Sequence, residues 1–217
     1  MNEETPASIG HRIVSGDVEL LRSRLLREPP VLPLTPKRGD YDLNPQNRPT
    51  EKLDLKPAAV LLPLVFRHEP HVLLTQRTHH LTRHAGQVAF PGGRSDPTDV
   101  SLVETALRET QEETGIDPAF VTVAGFLDAY ETGTGYAILP VVGLLSDGFA
   151  LSPHAAEVAE IFEVPLSFLL DPVNRKMQSR EFQGRMRSFY SFTYEGHYIW
   201  GATAAMLLNF GERITKP

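Results

Sequence analysis

The sequence predicts an α/β sandwich, and three observations carry that prediction. Apolar runs of strand length stand on both sides of one well-bounded helix, two of those runs are nearly continuous, and further helical stretches lie near each end of the chain. Nearly continuous apolar strands suit a sheet covered on both faces, and helices before, within and after the strands supply the cover.

Residues 16–27 place Val18, Leu21, Leu25 and Leu26 at helical spacing, with Ser15 as the cap. That apolar stripe needs a partner, either the main domain or the second subunit of a homodimer. Residues 28–57 are rich in Pro, Arg, Lys and Asp without a period, and read as an extended linker. Residues 58–66 and 71–77 form a hairpin pattern around Arg67-His68-Glu69-Pro70. Residues 121–130 and 136–145 are the next strands, joined by a Gly-rich turn over 131–135. A further strand covers 157–164, and Pro165 opens a short helix to Leu170. Residues 177–182 and 186–194 read as a hairpin with Gln183-Gly184 near its tip, and 198–200 lead into a helix over 201–210. Trp200, next to apolar residues, is assigned to the core. This divides the chain into an N-terminal helix and Pro-rich linker (1–56), a main domain (57–210) and a tail (211–217).

The central helix has readable ends. Ser101 followed by Glu104 fits a capping box, and Gly115 sits where a left-handed stop belongs. Val103, Ala106, Leu107, Thr110 and Thr114 make the face turned to the core. At roughly 100° per residue, Glu109, Glu112 and Glu113 converge on the other side. These three carboxylates repel one another and lie in the negative half of the helix dipole. A divalent cation would reverse both penalties, and hard oxygen-only ligation suits magnesium. A Glu-rich helix end is most often a solvated face. Here, though, Phe90-Pro91-Gly92-Gly93 precedes it, and Gly-rich backbone beside a carboxylate cluster admits phosphate and metal closely.

The segment resembles the Nudix box, G-x5-E-x7-R-E-U-x-E-E-x-G-U, through Gly93, Arg108, Glu109, Glu112, Glu113, Gly115 and Ile116. It departs in three places. Asp99 replaces the first Glu, one extra residue precedes Arg108, and Thr110 replaces the aliphatic position. The extra residue is similar to the coenzyme A pyrophosphatase branch. That branch has an upstream signature which Leu73, Leu74, Thr75, Arg77, Gly86, Phe90, Pro91, Gly92 and Gly93 match in register. Thr78 and Thr82 depart from it, with Arg83 one place after its second Arg. The resemblance implies a mixed β-sheet sandwiched between α-helices.

It also implies metal-dependent hydrolysis of the diphosphate in coenzyme A or acyl-coenzyme A, with Mg2+ or Mn2+ as cofactor. Glu109 and Glu113 are the first choices as metal ligands, with Glu112 a third ligand or a partner through water, and Arg108 orients the carboxylates. The base is Glu109 or a carboxylate of a later loop, Glu157 first among Glu157, Glu160 and Glu163. Arg77 and Arg83 suit phosphoryl oxygens, and His84 is a further substrate contact beside the backbone of Gly92 and Gly93. Asp96 and Asp99 have an adequate account as a helix-capping turn. Lys176, Arg180, Arg185 and Arg187 form a separate basic cluster, either a solvated hairpin face or a contact for a 3′-phosphate. Two alternatives stand: another nucleoside diphosphate, such as ADP-ribose or a dinucleotide, as substrate, or a non-catalytic nucleotide sensor. The intact carboxylate trio speaks against the sensor.

Composition bounds the rest. A 217-residue chain has ample length for a proper core. A formal net charge of −6 gives no general nucleic-acid surface. With no cysteine there is neither a disulfide nor a thiolate site. The start, MNEETPASIG, lacks the pattern of a signal peptide, and the longest apolar run, 58–66, is too short for a bilayer and contains Pro63. A cytoplasmic protein acting on a small molecule is the expectation.

Overall fold

In a computed structural model, which describes residues 5–51, 53–182 and 184–216, the chain opens with two helices rather than the single one expected over 16–27. The first, α1 (Pro6–Val14), is started by Thr5, whose side chain accepts from the Ser8 amide while Ser8 reaches back, with Pro at the first turn. Ser15 ends this helix instead of starting one, Gly16 turns the chain at positive φ, and Asp17 caps α2 (Val18–Arg24) by accepting from Leu20 N–H. The apolar face of the pair is covered within the same chain. Ile9, Ile13 and Leu21 are fully buried in a cluster with Leu207, Phe210 and Ile214.

The linker is also more structured than its composition suggests. β1 (Arg38–Gly39) pairs in parallel with residues 130–131. Asn44, buried, binds Asp40 O and Ser188 O through its amide nitrogen and accepts from Ser188 N–H, so the linker is clipped to the C-terminal hairpin. No periodicity signals this, because side-chain-to-backbone clips need a single residue each.

β2 (Lys56–Phe66) runs through the middle of a nine-stranded mixed sheet. Its side chains sort by parity: Ala59 and Leu61 turn to one layer, and Leu62 and Leu64 to the other. β3 (Pro70–Arg77) returns antiparallel, β4 (Val88–Ala89) and β5 (Gly92–Arg94) follow, and α3 (Leu102–Thr114) then crosses one face of the sheet. The expected strand over 121–130 is broken in two. β6 (Val121–Phe126) and β7 (Tyr130–Glu131) both pair with β8 (Tyr136–Leu145), which runs parallel to β2. β9 (Val158–Pro165) adds to the far side of β3, and α4 (Leu166–Leu170) follows from Pro165. β10 (Lys176–Phe182), β11 (Arg185–Tyr194) and β12 (His197–Trp200) form a separate three-stranded sheet. Gln183, expected at the hairpin tip, lies outside the described residues. The last helix, α5 (Gly201–Thr215), runs past Phe210 through most of the expected tail, because Ile214 is fully buried against α1.

The result is an α/β sandwich with α3 on one face and α1 with α5 on the other. On the α3 face Leu102 and Ala106 meet Ala59, Leu61, Leu139 and Val141. Thr110, which stands where an aliphatic residue was expected, is fully buried, and its hydroxyl donates to Ala106 O at 2.6 Å. Thr114 does the same to Thr110 O. Each hydroxyl is satisfied inside its own helix, which leaves the methyl group to pack.

Candidate active site

The site forms where the second half of α3 passes over β5. Burial separates the three glutamates that helical spacing grouped together. Glu112 is exposed, Glu109 is half-buried, and Glu113 is only 5% exposed. Glu113 Oε2 accepts from Gly92 N–H at 3.1 Å, and Glu109 lies so close to Gly93 that an added Cβ would meet its carboxylate carbon at 2.4 Å. Gly93 is needed for that approach, whereas a Cβ on Gly92 would meet the β2 backbone at Ala59 and Val60. Burial pushes Glu113 up to about 7, against the pull of the Gly92 amide and Arg77. Burial also raises Glu109, against the pull of Arg108.

Arg108 spans two of the carboxylates. Its Nη1 donates to Glu109 Oε1 at 3.0 Å and to Glu112 at 3.3 Å. What holds Arg108 itself is Asp99, through Nε–Oδ1 at 2.8 Å and Nη2–Oδ2 at 3.0 Å. Asp99 also accepts from Thr105 Oγ1 and Asp96 N–H, so it is more than a capping residue. The Arg108 hydrogen bonds hold its carboxyl well below the usual carboxylate range. The Ser101–Glu104 pair forms in altered shape: Ser101 accepts from Glu104 N–H, and Glu104 accepts from Val100 N–H one residue earlier.

A loop after β8 completes the cleft. Ser152 N–H donates to Thr114 O at 2.7 Å and His154 N–H to Glu113 O at 3.0 Å, satisfying carbonyls that the end of α3 leaves open. This lacing brings His154 and Glu157 beside the helix. Glu109, Glu112, Glu113, His154 and Glu157 line one open cavity of about 330 Å³. Arg77 enters from β3 after a break in register at Gln76/Arg77, with Nη1 3.5 Å from Glu113 and Nη2 3.9 Å from Glu157. Such irregularities re-aim a side chain at a strand end.

The other expected residues lie apart from this cleft. Glu160 bonds His197, and Glu163 is paired with Arg67. Arg83 and His84 are exposed on the loop between β3 and β4, where His84 binds Gln87 Oε1 at 2.8 Å. His154 and the grip of Asp99 on Arg108 escaped the sequence reading. The only available signal for Asp99 was its place in the box.

The donor set fits a hard dication: four carboxylates and one imidazole around the cavity, with no sulfur. Among the described residues no three His, Asp or Glu side chains stand together as a ready-made cage. Arg108 draws Glu109 and Glu112 to itself while Arg77 leans on Glu113. Filling the site therefore means rotating carboxylates away from two guanidiniums. Gly93→Ala should displace the Glu109 carboxylate and lower kcat/KM by about 10²-fold, as ångström-scale misplacement does. A circular-dichroism melt near that of the parent would show that the loss is local.

The sandwich gathers four carboxylates and two guanidiniums at one cleft. The NUDIX domain, as a sequence family, matches residues 55–180, and the chain belongs to that family, whose members use divalent cations on small-molecule substrates. It is a Nudix hydrolase. A Photorhabdus laumondii protein, described as the uncharacterized Nudix hydrolase NudL, is 43% identical over 72% of this chain and 84% of its own length. Its counterpart of the same description in Yersinia enterocolitica is 43% identical over 72% of this chain and 80% of its own. Among solved structures, the NUDIX domain of Shewanella oneidensis NrtR, complexed with ADP ribose, is 24% identical. It covers 60% of this chain and 84% of that one at a TM-score of 0.45. No helix among the described residues is long and apolar enough to cross a membrane.

Proposed function

We propose that this Nudix hydrolase cleaves the diphosphate of coenzyme A or acyl-coenzyme A, giving 4′-phosphopantetheine or its acyl form and adenosine 3′,5′-bisphosphate. The supporting observation is where the upstream signature falls. Arg77, Gly92 and Gly93, which belong to it, sit against the box glutamates in one cleft. Two motifs that adjoin in sequence, sharing Gly93, thus meet around one cleft.

In this reading Glu109 and Glu113 hold Mg2+ or Mn2+, with Glu112 as third ligand or partner through water. The bound ion would offset charge building on the diphosphate. Glu157 is the base: its carboxylate lines the cavity at a half-exposed position that water reaches. It takes a proton as the water oxygen bonds to phosphorus and the bridging P–O bond breaks, leaving two phosphomonoesters. Arg108 positions Glu109 and Glu112. Arg77 contacts the phosphoryl oxygens, whereas Arg83 and His84 stand exposed on the loop between β3 and β4, apart from the cleft. Arg77→Ala should raise KM roughly tenfold, the scale of one charge-assisted contact. An unchanged KM would remove it from the substrate site.

The test is a product assay by mass spectrometry on coenzyme A with magnesium or manganese, with and without chelator. Metal-dependent release of the two phosphomonoesters is the expected result. Intact coenzyme A alongside rapid cleavage of ADP-ribose or a dinucleotide would overturn the substrate assignment and leave the diphosphate chemistry standing.

A further inference from the structure

The three-stranded sheet has one face on the core and one face outward. Phe192 and Ile199 lie fully buried on the inner side, with Tyr190 and Tyr194 packed against the same cluster. Register places Gln178 opposite Phe189, Arg180 opposite Arg187, and Ser191 opposite Trp200, so these residues share the other face. There Gln178, Ser179, Arg180, Phe189, Tyr198 and Trp200 line a cavity of about 220 Å³, and none of them lines the carboxylate cleft. Trp200, expected in the core, is half-buried at its wall. Its ring centroid is 5.4 Å from that of Phe189 and 6.4 Å from that of Tyr198.

This wall sets aromatic rings beside cations. Tyr198 is 39% exposed in the same pocket as Phe189 and Trp200. Arg180 stands on that face, with Lys176 and Arg185 further along it. A planar ring laid on the aromatics and a phosphate on Arg180 would use both features. The Tyr198 hydroxyl donates to Gln178 Oε1 at 2.9 Å, which leaves the Gln178 NH2 as a donor for a ring nitrogen. The cavity is smaller than the roughly 300–1,000 Å³ of pockets that enclose drug-sized ligands, so it suits one base with its phosphate at the rim.

We propose that this pocket binds the base of a nucleoside phosphate, with the ring laid on Trp200, its edge toward the tilted Phe189 ring, and a phosphomonoester on Arg180. The ligand has two possible sources with the same chemistry: the nucleoside end of the diphosphate being cleaved, or a separate nucleotide. The three-stranded sheet meets the main sheet near the end at which β8 begins. Arg187 approaches Gly133 in the turn leading into β8, and β3 finishes with Arg77 at that same end.

Trp200 is the chain's only tryptophan, so its emission reads this pocket alone. With chelator present, adenosine 3′,5′-bisphosphate should change that emission saturably. Adenosine should do so more weakly, and inorganic phosphate not at all. Arg180→Ala should weaken the bisphosphate about tenfold, the loss of one charge-assisted contact, with adenosine affinity kept. Tyr198→Ala should weaken both, and calorimetry on each variant would confirm the affinities independently of fluorescence. An emission unmoved by millimolar bisphosphate, or equal bisphosphate affinity in Arg180→Ala, would overturn the proposal. Competitive inhibition of hydrolysis at the fluorescence Kd would identify the ligand as the substrate's own base. Hydrolysis untouched at a saturated pocket would identify it as a separate nucleotide. Binding is read without turnover, so failure of the coenzyme A reading would leave this result intact.

Discussion

Glu113→Gln should lower kcat by about two to four orders of magnitude while leaving the fold intact, the range spanned by removing an essential charged group from a catalytic site. Gln keeps the shape and can still accept from Gly92 N–H, so the loss would report charge alone. A second, opposite effect should accompany it. Burial raises the folded-state Glu113 from its ordinary 4.5 to about 7, so between those values the folded chelated protein holds a proton that the unfolded chain has released. Stability of the chelated parent therefore falls as pH rises through that window, by about 3–4 kcal/mol at most. The Gln variant lacks this slope and should melt higher than the parent at pH 8 in chelator. Calorimetric melts at pH 5 and pH 8 would check it, and parallel slopes in the two proteins would count against the burial of Glu113.

Arg108→Ala should cost about 2–3 kcal/mol of stability, because it leaves the Asp99 carboxylate, 2% exposed, without its main partner. For a chain of this length that corresponds to a fall in Tm of roughly 5–10 °C. Activity should fall too, since Glu109 and Glu112 lose the guanidinium that spans them. The Asp99–Arg108 pair also has a definite pH signature. Its carboxylate is held below the usual range in the folded state, so its contribution is fully present above about pH 4 and is lost as pH falls below that. Acid unfolding of Asp99→Asn should accordingly show a weaker pH dependence below pH 4 than the parent. Identical acid transitions would mean that the pair contributes nothing.

The central helix was legible because its information is local. A cap, a glycine stop and 3.6-residue spacing identify α3, and the same spacing puts Glu109 and Glu113 one turn apart. The first helix was missed all the same. Thr5-Pro6 is a start signal that went unread, and the helix expected over 16–27 begins at Val18, behind Asp17 as its cap. The three glutamates were taken as one face, yet 5% exposure of Glu113 sets it apart from exposed Glu112. That difference comes from β5 beneath the helix, which no periodicity reports. Trp200 shows the same limit, since an apolar neighbourhood in sequence says nothing about which side of a small sheet faces outward.

Composition, strand-length runs and two short motifs were enough to define the α/β class, the hydrolase family and the helix that bears the carboxylates, because each depends on residues within a few turns of one another. Which carboxylates meet, how deeply each is buried, and which cations restrain them were decided by packing. Glu157 and His154 reach the site only because their loop ties off the end of α3, Arg77 because β3 changes register beside β9, and Arg108 because Asp99 lies behind it. Desolvation and charge pairing act through space, and a chain separated by tens of residues carries no local mark of either.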